Sequence, residues 1–155
     1  MPTTLGKPFS VDWRGHPPHM LWPDVPVWYS WLETYGRFIV TLYYDCLLGG
    51  PALPPGALED KFTYQWAYNI SKRADAIAEM EDEVWIIEVS ASPGLRAVGQ
   101  LLSYQSLWLE DPKIEKIERL ILVCAEIDQD LIASAARYGI QTYVTPITWT
   151  RGQGA

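Results

Sequence analysis

The chain is short of basic residues, of cysteine and of long apolar runs. Twelve Lys and Arg stand against nineteen Asp and Glu, a formal net charge of −7. That balance excludes a protein that holds nucleic acid by bulk electrostatics, because phosphate binding needs clustered cations. It does not exclude a nuclease, whose acidic centre is masked by bound metal. Cysteine is limited to Cys46 and Cys124, with no ligand cluster around either, which excludes a zinc site. Both lie in apolar, strand-like runs and read as buried thiols, with a disulfide left open. No apolar run reaches the ~18 residues that span a bilayer. The start lacks the charged-then-apolar pattern of a signal peptide, so no membrane role and a cytoplasmic setting are expected.

What the chain has in excess is aromatic: 8 Trp and 9 Tyr in 155 residues. Such side chains serve a core or an interface equally well. The length suits one domain with its own core. Residues 1–23, rich in Pro, His and Trp without periodicity, read as an extended arm. His16 and His19 within it are metal candidates without acidic neighbours, and a loop role suits them better. Residues 24–145 read as the folded domain and 146–155 as a polar tail. Arm and tail are expected to be pinned, by a partner or by their own fold.

Within the domain, Asp24 is placed to cap a helix running to Tyr35, with Pro26 in its first turn. Residues 37–48 are β-branched and aromatic and predict a strand. Residues 49–56 hold three prolines and predict a loop; 61–70 fit strand or helix. Residues 72–80 and 84–90 alternate as a hairpin across Glu81-Asp82-Glu83. Ser92-Pro93 reads as a cap opening a helix to Trp108, with Leu95, Val98 and Leu102 toward the sheet. A strand at 119–124, a helix over 128–138 and a strand at 140–144 follow. The order predicts an α/β (α+β) fold: a mixed sheet of about five strands with flanking helices.

The chemistry concentrates on the hairpin and the helix after it. Asp75 lies on the first strand. Glu88 sits inside the apolar run Trp85-Ile86-Ile87-Glu88-Val89-Ser90, where a carboxylate needs a metal, a cation or a proton. Arg96, Gln100 and Tyr104 recur at i, i+4, i+8 and share a helix face. Asp75, then Glu88-Val89-Ser90, then Gln100-x-x-x-Tyr104 resembles the PD-(D/E)xK nuclease-like superfamily, in particular its RecB-like branch. The resemblance covers roughly residues 24–145 and implies a restriction-endonuclease-like core. It also implies a magnesium ion held by Asp75, Glu88 and the Val89 carbonyl, with Glu33 through water. Catalytic roles fall to Asp75, Glu88, the Ser90 position, Arg96, Gln100 and Tyr104.

The family carries lysine where this chain has Ser90. A neutral hydroxyl cannot supply the ammonium that steadies charge on a reacting phosphate, and losing such a contact costs on the order of a hundred-fold. Arg96 could move its charge into the gap. Lys72, three residues before Asp75, should face the other side of the pleat. A Glu88–Arg96 ion pair would instead mark a dead site. Two main functions follow. One is a magnesium-dependent deoxyribonuclease with a migrated cation. The other, favoured by the acidity and by Ser90, is a degenerate nuclease fold kept as a structural subunit of an assembly. Its partners would be proteins, a second copy of the chain included, with DNA possible. The most specific version is a phage head–tail or neck component, in the virion. A nuclease inhibitor suits the acidity alone.

Overall fold

A computed structural model describes residues 3–49 and 72–151. The loop expected at 49–56, from residue 50 on, and the segment 61–70 lie outside the described residues. Five strands form one sheet in the order β1 (Thr41–Leu48), β2 (Lys72–Glu79), β3 (Glu83–Val89), β4 (Ile117–Cys124) and β5 (Ile140–Val144). The first three pair antiparallel; β3, β4 and β5 run parallel. The mixed five-stranded α+β fold is therefore the one the sequence predicts.

Parallel pairs need crossovers, and helices α2 (Leu95–Glu110) and α3 (Gln129–Arg137) supply them. Their apolar stripes (Val98, Leu101, Trp108, Leu131, Ala135) pack on Ile77, Ile86, Leu120 and Leu122. Helix α1 (Val25–Tyr35) covers the other face, where Trp28 and Trp31 meet Ala76, Ile87, Ile121 and Val123. With helices on both faces, β3 and β4 are apolar almost throughout. Half of the described Trp and Tyr side chains are core: Trp28 and Trp31 stack at 5.1 Å, and Tyr29, Tyr44, Tyr104, Trp108 and Trp149 are buried.

Helix α2 begins two residues later than Ser92-Pro93 suggests. Gly94 occupies the cap position, with no side-chain cap. Leu95 is exposed, Leu102 only half-buried, and Ala97 and Leu101 join Val98 inward. The i, i+3, i+4 stripe starts from Ala97 once the helix start moves.

Arm and tail pack on their own domain. Thr4 and Leu47 exchange two backbone hydrogen bonds, and the Phe9 N–H donates to the Leu42 carbonyl, so the arm covers the free edge of β1. In the tail, the N–H groups of Thr148 and Trp149 both donate to Ser30 Oγ. Trp149 sits 4.8 Å from Tyr29 and Arg151 lies over Trp22. Cys46 and Cys124 are buried free thiols. Among the described residues no helix is long and apolar enough to cross a membrane.

Candidate functional site: a row of carboxylates

Strand register brings the predicted pair together. Ala76 pairs with Ile87, so the next rung sets Asp75 against Glu88. On the other side Tyr44 pairs with Ala76 and Cys46 with Ala74, which sets Asp45 against Asp75. Three carboxylates thus occupy one row across β1, β2 and β3.

The row coincides with a break in strand alternation. Leu42 and Tyr44 pack on the α1 face, yet Cys46 and Leu48, in the same phase, pack on the α2 face. Ala76 and Ala74 divide likewise on β2. Asp45 has φ 50°, in the left-handed region that Asp tolerates better than most residues, and the strand rolls over there. His19 Nδ1 bonds Asp45 Oδ2 at 2.6 Å.

A fourth carboxylate arrives from the start of α1. Asp24 holds the cap position but makes no side-chain cap. Its Oδ1 accepts the Ala91 N–H at 2.8 Å, tying α1 to the segment after β3, and its charge acts on both Asp75 and Glu88. Glu33, expected near the metal, is instead exposed and paired with Arg14 at 3.2 Å. It lies more than two turns beyond Asp24, and the arm captures it.

The pair is half-buried, and among the described residues it is short of positive charge. Asp75 Oδ2 accepts the Val89 N–H at 2.8 Å. Asp75, Glu88 and Tyr104 lie close enough to act on one another electrostatically. Glu88 Oε2 is buried with no hydrogen-bond partner, the one carboxylate oxygen so placed among the described residues. Burial, then repulsion from Asp75, pushes Glu88 far above the ordinary carboxylate range, and burial also raises Asp75. Two facing carboxylates with no cation beside them among the described residues raise each other's affinity for a proton.

Among the described residues no ion pair reaches Asp75 or Glu88, and the Glu88–Arg96 pair does not form. Ser90, in phase with Glu88, donates its N–H to the Val123 carbonyl at 3.0 Å. Arg96 is exposed and acts on Tyr104. With Lys72, Gly99, Gln100 and Ser103 it lines a cavity of about 370 Å³. Gln100 and Tyr104 therefore part company: Tyr104 turns to Glu88, and Gln100 faces the two cations. Lys72 reaches the α2 side because β2 rolls between Ala74 and Ala76, a break that strict alternation could not foresee.

The sequence reading passed over Asp24 and Asp45. Asp24 looks like an ordinary cap. Asp45 carries the same signal as Glu88, a carboxylate inside an apolar strand, and was legible on that ground. Among the described residues no cluster of three or more His, Cys, Asp or Glu is arranged to hold a metal; His16 bonds the Met20 carbonyl instead. A two-carboxylate cradle still suits magnesium, which takes hard oxygens and keeps several waters. The partnerless Glu88 oxygen beside Asp75 fits such an ion. No family model, curated protein or solved structure matches the chain.

Proposed function

We propose that this chain is a nuclease-fold domain whose site has lost its cation, and that it serves as an interaction subunit of a larger assembly. The observation that supports the reading is the half-buried Asp75–Glu88 pair, which no ion pair reaches among the described residues and which has Ser90 in the lysine position. Magnesium held by Asp75 and Glu88 would polarise a phosphate and acidify a bound water. The chain's own groups orient that cradle: the Val89 N–H fixes Asp75, and Asp24 anchors the following loop. What is missing is a fixed positive charge for the phosphate in the transition state. Exposed Trp22, Phe38, Val40 and Ile117 support contact with proteins. The docked arm and tail owe their order to their own domain and carry no weight for a partner. A phage head–tail or neck setting is the most specific form of this reading and rests on analogy of fold.

One observation favours a working magnesium-dependent deoxyribonuclease instead. Arg96 lies near enough to act electrostatically on Tyr104, which faces the same pair, and Lys72 shares its cavity. Arginine stays protonated, so its help would be electrostatic. Magnesium- or manganese-dependent cleavage of linear and circular DNA separates the two. The degenerate reading expects silence from the natural chain and cleavage from Ser90→Lys that disappears on adding Glu88→Ala. Cleavage by the natural chain, lost in Glu88→Ala, would establish the working enzyme. Silence from Ser90→Lys as well would remove the claim of an intact cradle.

A further inference from the structure

The turn end of the β2–β3 hairpin, away from the carboxylate row, carries the larger cavity, of about 640 Å³. Tyr35, Phe38, Trp85 and Tyr143 supply aromatic walls, and Glu81, Asp82 and Glu83 form an acidic rim. The rings are set at angles around one volume: Tyr35 and Tyr143 have centroids 4.9 Å apart at 60°, Trp85 and Tyr143 6.1 Å apart at 34°. The Trp85 indole N–H donates to Glu83 Oε1 at 3.2 Å, which fixes that wall. Phe38 is exposed. Glu83 also holds Arg119, and Arg37 lies over the Phe38 ring at 4.8 Å. Glu81 and Asp82 are exposed and enter no ion pair among the described residues.

Aromatic faces carry negative potential, and the rim adds two uncompensated carboxylates. The volume lies within the range of ligand sites. A neutral apolar guest would cover the acids without pairing them, and an anion would be repelled. A cation with a flat, weakly hydrated face satisfies walls and rim together, and arginine suits this better than lysine. The chain already sets guanidinium groups on rings elsewhere, Arg14 on Tyr29 and Arg151 on Trp22. We propose that this cavity receives an arginine side chain of a partner protein, laid against the Trp85 and Tyr143 rings with its charge against Glu81 and Asp82. The choice of partner rests on the interaction-subunit reading. The cavity is far enough from the cleavage chemistry that each can fail alone.

The test is an NMR titration of the Trp85 indole N–H in the full chain with N-acetyl-arginine amide, with the uncharged citrulline analogue alongside. The proposal expects a saturable Trp85 shift with the arginine compound and none with citrulline. Phe38→Ala, at an exposed ring, and the double variant Glu81→Gln/Asp82→Asn should each weaken binding about threefold. No shift, an equal shift with citrulline, or binding unchanged in both variants would overturn it.

Discussion

The two ends of the β2–β3 hairpin are both acidic and behave in opposite ways. At the turn end Glu79 pairs with Lys116 at 2.9 Å and Glu83 with Arg119. Water reaches both, and the Arg119 contact holds Glu83 below the usual carboxylate range. At the other end Asp75 and Glu88 face each other near Asp24, half-buried, where among the described residues no cation pairs with them, and their proton affinity rises. Charge in the sequence is similar in the two places. Burial and the supply of cations separate them, and only the uncompensated end has chemical capacity to spare.

The sharpest way to break the comparison is to remove the titrating group. Glu88 binds protons more tightly folded than unfolded. Its contribution to stability is therefore complete below the ordinary carboxylate pKa and is lost as pH rises toward the raised folded value. Glu88→Gln, which mimics the protonated form, should match the natural chain near pH 4 and be the more stable above it. The gap should widen by at most about 1.4 kcal/mol per pH unit. Urea unfolding across pH in metal-free buffer reads this, and a gap that does not change with pH contradicts it.

A smaller effect is expected from Asp24→Ala, which leaves the Ala91 N–H without its acceptor. The expected loss is about 1–2 kcal/mol, visible as a lower urea midpoint. If Asp24 were only a helix cap, Asn would replace it fully; because its charge presses on Glu88, Asp24→Asn should also lower the Glu88 pKa. The smallest change belongs to the turn end. Arg119→Gln breaks an exposed pair and should cost no more than about 1 kcal/mol, fading in high salt. A salt-resistant loss there would mean that the two ends are less different than their burial indicates.

Much of this was legible in sequence because the local signals agreed. Alternation in 72–80 and 84–90, Gly36 and Gly139 at helix ends, and the apolar runs at 119–124 and 140–144 all point to one sheet. The pairing of Asp75 with Glu88 followed from the hairpin, and the approach of Tyr104 from helical spacing. What failed depends on contacts distant in sequence. Asp24 gave up its capping role for Ala91, sixty-seven residues away. Glu33 was captured by Arg14 of the arm. The roll at Asp45, which redirects Lys72, shows only as a positive φ that no residue pattern announces.

The central claim is that Asp75 and Glu88 form a cradle that holds a proton for want of a cation. Calorimetric titration with Mn²⁺ at neutral pH, in two buffers of different ionisation enthalpy, tests it most directly. The account predicts binding that releases a proton and disappears in Glu88→Gln. Absence of binding by the natural chain, or binding that Glu88→Gln leaves unchanged, would contradict it.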